Sequence, residues 1–195
     1  MRKLIVCNIM SLDGYVEGPG GNVMVLPMDN FFNEHNLERL RAADTLLLGA
    51  RTYTGFKSFW PAVAANPEMA GVTRETGRRN NEIQKVVVSD SLTADDTTPW
   101  TDTTTIVRRA DAHQAIADLK SQPGREVLMF GSITLLNDLL TAGLVDELHL
   151  MLGATVLGGG TPAFAAQVPP LRLLTTERRD SSNNLLLRYA VENRT

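Results

Sequence analysis

The chain alternates short apolar, β-branched runs with stretches in which apolar residues recur every three or four positions. The first pattern marks buried strands and the second amphipathic helices. Their alternation is the signature of an α/β sheet protein rather than a helical bundle or a β-sandwich. Residues 3–10 (KLIVCNIM) read as a first buried strand, ended by the turn-forming Asp13-Gly14 and the loop GPGGN at 18–22. Residues 29–43 place Phe32, Leu37, Leu40 and Ala43 at roughly helical spacing, with Asp29 as the N-cap, and a second buried strand follows at 45–48, closed by Gly49. A short helix is expected over 51–59. The segment 61–81 is poor in large apolar residues, carries Arg74, Arg78 and Arg79, and reads as an insertion or flap of partial helicity.

Further along, 85–89 and 104–107 read as strands linked by a Thr-rich polar connection, and 111–120 as a helix turning Ala112, Ala115, Ile116 and Leu119 toward the sheet. A strand at 126–130, the turn Gly131-Ser132, a helix at 133–141 capped by Gly143 and a strand at 147–152 make a βαβ unit. Residues 171–179 and 184–191 read as antiparallel strands joined by a polar turn at 180–183. The expected fold is therefore α/β with a mixed sheet. Its 195 residues fit one domain, 1–195, in the usual range of about 100 to 200 residues.

Composition narrows the classes. Apolar residues make 43% and charged residues 21%, which is globular, and no apolar run approaches the roughly 20 residues of a membrane span. A net charge of -3 argues against nucleic acid as a partner. The opening MRKLIVCNIM lacks a small-residue cleavage site, so a cytoplasmic address is expected. Cys7, the single cysteine, forms no internal disulfide and reads as an inert buried thiol. His35, His113 and His149 fall on two helices and a strand without paired spacing, and no metal site is expected.

Two strand-to-helix turns carry candidate chemistry: Gly49-Ala50-Arg51-Thr52 and Gly131-Ser132-Ile133-Thr134. Glycine permits close backbone approach, and the free amides of a helix N-terminus present positive dipole to an anion. Arg51 adds a charged fork and Thr52 a hydroxyl, so a pyrophosphate held between two helix starts is one reading; tight packing alone is the other.

The set SLDGYVEG at 11–18, DTLLLGARTYTGF at 44–56, FWP at 59–61, KVVVS at 85–89, Gly131-Ser132, AGLVDELHL at 142–150 and VLGGGTPAF at 156–164 resembles the dihydrofolate reductase-like superfamily. It looks most like the branch holding the reductase domain of the bacterial bifunctional riboflavin-biosynthesis deaminase-reductase, and the match spans nearly the whole chain. The resemblance implies a mostly parallel mixed sheet of about eight strands with helices on both faces, an antiparallel C-terminal hairpin, and a homodimer. It also implies NADPH as cofactor, with NADH as the alternative. By position, the backbone at Asn8 and Ile9 would face the nicotinamide. Gly49, Arg51 and Thr52 would hold the pyrophosphate from one side and Gly131, Ser132, Ile133 and Thr134 from the other, with Val88 and Ser89 along the adenosine half.

The chain departs from the family pattern at three places. Ala50 stands where relatives often carry a second Arg. Asp90 falls where a small hydroxyl residue is usual, and its carboxylate would repel a 2'-phosphate unless Arg74, Arg78, Arg108 or Arg109 compensates. Asn33 stands where dihydrofolate reductases place the carboxylate that assists protonation. Asp29 and Glu34 are the nearby carboxylates; Asp29 reads either as the catalytic group or as the helix cap, and Glu34 as catalytic or as part of a solvated face. Asp13 reads as catalytic, near the active-site mouth, or as a turn-closing side chain. Phe56 and Trp60 read as a stacking surface or as core. The expected function is hydride transfer from a nicotinamide cofactor to a small pyrimidine- or pterin-like heterocycle. The alternative is a non-catalytic nucleotide-binding or regulatory module that kept the fold.

Overall fold

The computed structural model describes residues 1–164 and 168–192. Eight strands form one sheet: β1 (Leu4–Ser11), β3 (Ala43–Gly49), β4 (Gln84–Val88), β5 (Thr104–Val107), β6 (Glu126–Phe130), β7 (Glu147–Gly153), β9 (Leu171–Arg178) and β10 (Leu185–Val191). Their order across the sheet is β5-β4-β3-β6-β1-β7-β10-β9. The strands from β5 to β7 pair in parallel, while β10 runs antiparallel to both β7 and β9. Two short segments, β2 (Tyr15–Glu17) and β8 (Thr161–Pro162), pair separately and tie the loop after β1 to the loop after β7.

Period-two side-chain alternation divides the core between two faces. Leu4, Val6, Leu47, Val127 and Met129 point to one face, covered by α4 (Ala112–Ser121) and α5 (Ile133–Thr141) through Ile116, Leu136, Leu139 and Leu140. Ile5, Cys7, Leu46, Leu48 and Leu128 point to the other, covered by α1 (Asn30–Ala42) and α2 (Ala50–Ala65) through Leu40 and Tyr53. Each is nearly solvent-free, so this sheet is buried on both sides as a parallel sheet requires.

The segment 61–81 departs from the expected flap. Helix α2 continues through Pro61 to Ala65, and α3 (Gly71–Glu82) follows and packs on α2 and α1. Proline removes one helical N–H, but burial of Val63 on that last turn holds the helix in place. The helices touch at Gly77, where a Cβ would fall 2.9 Å from the backbone nitrogen of Ala64. A polar sequence thus forms a helix because its small buried residues, Thr76, Gly77 and Asn80, let backbone meet backbone.

Candidate functional site

Strand register places the predicted residues in one row. Gly49 is the partner of Val88, Leu47 pairs with Met129, and Cys7 pairs with Phe130. Asn8, Gly131, Gly49 and Val88 therefore lie side by side, Asn8 within β1 and the other three at or just past the carboxyl ends of β6, β3 and β4. From the middle two of these strands the chain leaves in opposite directions. Helix α2 follows β3 onto one face and α5 follows β6 onto the other. This is a topological switch point, the place where open α/β sheets form a ligand crevice.

The two helix starts are bolted together. The Gly49 N–H donates to Ser132 Oγ at 2.8 Å, and Ser132 Oγ donates to Thr52 Oγ1 at 2.9 Å. Ser132 sits at φ 58° and ψ 55°, the one non-glycine residue among those described with positive φ. That backbone costs about 1–3 kcal/mol for a residue with a Cβ, and the two hydroxyl contacts hold it. Neither α2 nor α5 has a side chain capping its N-terminus, so first-turn amides of both remain available to an anion.

Asn8 is buried at the β1 end of the row. Its Oδ1 accepts from the Gly131 N–H at 2.9 Å, which fixes the amide's orientation, and its Nδ2 has no partner. An orphaned buried donor costs about 1–3 kcal/mol, so Asn8 Nδ2 is the polar atom at this end of the row that still lacks an acceptor. The side chain of Ile9, the next residue, belongs to a small apolar cluster with Leu26, Phe31, Met151 and Leu186. At the far end of the row, Ser89 is buried and its Oγ accepts from the N–H groups of Ser91 and Leu92. Asp90 is already matched: its carboxylate accepts from the Arg109 N–H at 2.9 Å and lies 3.6 Å from the Arg109 guanidinium. Arg108 donates to the Ser89 and Leu92 carbonyls. Of the four arginines considered as compensators, these two flank the position. Arg78 faces Glu82 on its own helix at 3.9 Å.

Arg51 is engaged. Its guanidinium donates to Glu17 Oε2 at 2.5 Å, and Thr161 donates to the other carboxylate oxygen at 2.7 Å. Glu17 is 4% exposed. The glycine loop after β7 presses on this residue, since a Cβ at Gly160 would fall 2.0 Å from the Glu17 carbonyl oxygen. Sequence reasoning missed Glu17; a second carboxylate beside Asp13 in a Gly-rich strand-and-turn segment was the available signal.

The two carboxylates expected to be catalytic are occupied by backbone. Asp29 caps α1, accepting from the Phe32 N–H at 3.1 Å, while its other oxygen accepts from the Ser182 hydroxyl at 2.5 Å. Asp13 accepts from the N–H groups of Leu157 and Gly158 at 3.1 and 2.7 Å. The Ser11 hydroxyl first, then these amides, bring its carboxyl down to about 2. Glu34 pairs with Arg179. Phe56 packs edge-on against Trp60 at 6.0 Å and tilted on Phe130 at 6.2 Å, which is a core arrangement.

Two of the histidines pair in space though not in sequence. His35 and His149, far apart in sequence, meet over Cys7 on the α1 face of the sheet, and all three are buried. Burial pushes His35 down to about 3 and His149 to about 4, and pushes the Cys7 thiol up, so all three are uncharged at neutral pH. Only His113 stands apart, on α4 beside Asp138.

Known proteins resemble the chain along its length. The family model of the RibD C-terminal domain matches residues 2–187. The uncharacterized protein YyaP of Bacillus subtilis is 25% identical over 187 residues, covering 95% of this chain and 92% of that protein. A diaminohydroxyphosphoribosylaminopyrimidine deaminase/5-amino-6-(5-phosphoribosylamino)uracil reductase from Thermotoga maritima superposes with a TM-score of 0.69 at 12% identity, over 97% of this chain and 56% of that one. Dihydrofolate reductase from Enterococcus faecalis, solved as a complex with NADP(H), superposes with a TM-score of 0.59 at 13% identity, over 97% and 96% of the two chains. The expected α/β architecture is thus the dihydrofolate reductase-like one, and the chain belongs to the RibD C-terminal domain family.

Proposed function

We propose that the protein is a reductase that takes hydride from NADPH, with NADH as the weaker alternative, and delivers it to a small pyrimidine- or pterin-like heterocycle. The observation carrying this reading is the row at the strand ends: two uncapped helix starts, locked by Ser132, beside a buried amide donor without a partner. The donor set fits a dinucleotide. First-turn amides at Ala50, Arg51 and Thr52 and at Ile133 and Thr134 would receive the pyrophosphate. Asn8 Nδ2 would meet a carbonyl acceptor on the nicotinamide side, and Arg108 and Arg109 would flank the adenosine side. When bound, the cofactor supplies the hydride; the protein's part is to orient the two partners and exclude water.

Asp13 and Asp29 are each committed to backbone N–H groups, so the reading assigns proton delivery to water rather than to either side chain. That commitment also favours the second reading, a nucleotide-binding module without turnover. We further propose a homodimer through β9. It is an edge strand of the sheet, and Leu173 and Leu174 on it are 50% and 40% exposed. The test is calorimetric titration with NADPH and with NADH, followed by NADPH oxidation assays against ribosylaminopyrimidines and dihydropterins. Micromolar NADPH binding with turnover of one heterocycle class is expected. Binding without turnover of any of them would favour the module, and no binding of either nucleotide at millimolar concentration would overturn both readings.

A further inference from the structure

A second constellation lies on the sheet face beneath α1, one residue before Asn8. Cys7 on β1 is the register partner of His149 on β7, and α1 sets His35 over the pair. His35 Nε2 is 3.3 Å from His149 Nδ1 and 4.0 Å from Cys7 Sγ, and one donor atom from each of the three lies within 4.8 Å of the others. His149 Nε2 faces the Glu147 carboxylate at 3.3 Å.

As neutral rings the set has one proton arrangement that satisfies both ring contacts: His149 donates from Nε2 to Glu147, and His35 donates from Nε2 to His149 Nδ1. It leaves the Cys7 thiol with no ring nitrogen to donate to. With the His35 proton moved to Nδ1 and the thiol ionised, a cation between the three donor atoms would take the sulfur and both nitrogens. A three-coordinate ion with bonds of about 2.0 Å to nitrogen and 2.3 Å to sulfur sets N···N at about 3.5 Å and S···N at about 3.8 Å; the two edges at His35 are 3.3 and 4.0 Å, and the third, from Cys7 to His149, lies within 4.8 Å.

We propose that Cys7 Sγ, His35 Nε2 and His149 Nδ1 form a three-coordinate site for one copper(I) ion. Thiolate and imidazole suit copper(I) and zinc alike, and the coordination number favours copper. Among the described residues no fourth His, Cys, Asp or Glu joins the group, where zinc ordinarily takes four ligands. Glu147 supplies the carboxylate that holds a ligating imidazole in the required tautomer. On binding, the Cys7 S–H bond breaks and its proton passes to water, the sulfur bonds the ion, and no oxidation state changes. The ion ties α1 to β1 and β7.

The test is anaerobic competition of the full chain against a chromophoric copper(I) chelator, with elemental analysis and X-ray absorption. Copper is supplied both to purified protein and during expression, because the ligands are buried. One copper per chain is expected, with one sulfur and two nitrogens around it and a melting temperature raised by mass action. Cys7→Ser and His35→Gln should lose the ion while keeping the far-ultraviolet dichroism of the parent, with Cys7→Ala as the second thiol variant should serine unfold the chain. Glu147→Gln should retain the stoichiometry with about 10–100-fold weaker affinity. Absence of copper by either route, copper retained equally by both thiol variants, or zinc bound by the same residues in place of copper(I) would overturn the proposal.

Discussion

On the proposed reading, Glu17 and a dinucleotide pyrophosphate compete for the same guanidinium. Arg51 reaches Glu17 at 2.5 Å while remaining largely exposed, so the pair can exchange for a ligand anion without unpacking the core. Arg51→Ala is expected to weaken NADPH binding by about 10–100-fold, the worth of one charged hydrogen bond of about 1.5–3 kcal/mol. Glu17→Gln keeps a partner for Thr161 and frees Arg51, and should tighten binding; calorimetry measures both, and an unchanged constant in both would remove Arg51 from the site. Asp13 makes a separate prediction. Its pKa is lowered to about 2 in the fold, below the 3.8 of a free side chain. The unfolded chain therefore binds the extra proton first as pH falls. The clamp on Leu157 and Gly158 is fully present above about 4 and is lost as pH falls through about 2. A carboxyl carbon titration by NMR should find a midpoint near 2, and a midpoint near 4 would show the clamp absent in solution. The sequence left Asp13 and Asp29 open between catalysis and turn or cap, because a lone Asp at a loop or helix start serves either role equally well in one dimension. The N–H groups each one meets appear only once the chain is folded.

The strands were legible because parallel strands buried on both faces are near-continuous apolar runs, and the helices around 29–43, 111–120 and 133–141 because their apolar spacing is regular. The exception is the α2–α3 pair. Pro61 reads as a stop, and α3 carries arginines and small residues where an apolar stripe is expected, so neither local propensity nor periodicity reveals a helix that exists by packing. The contact at Gly77 tests this. Gly77→Ala raises helix propensity by about 1 kcal/mol, yet places a methyl against the backbone of Ala64, an overpacking worth about 1–3 kcal/mol. Chemical denaturation should find the variant less stable than the parent. A gain in stability would mean the two helices can part freely.

At the scale of the molecule, the order β5-β4-β3-β6-β1-β7-β10-β9 converts scattered motifs into neighbours. Gly49 and Gly131, 82 positions apart, adjoin because β6 inserts beside β3, and Cys7 joins His149 because β7 returns to the other side of β1. The motif turns were visible one at a time; their bolting through Ser132 was not, since register lies outside local sequence. The hairpin that ends the sheet exposes both faces of β9, and replacing Leu173 and Leu174 by lysine should convert a dimer into a monomer in light scattering. Monomeric parent protein at micromolar concentration would contradict the proposed interface. The most direct measurement is a crystal structure of the protein grown with NADPH. The account predicts the pyrophosphate between the N-termini of α2 and α5, Asn8 Nδ2 bonded to the cofactor's carboxamide, and Arg51 released from Glu17. A cofactor bound anywhere else, or an unchanged Arg51–Glu17 pair beneath it, would contradict the account.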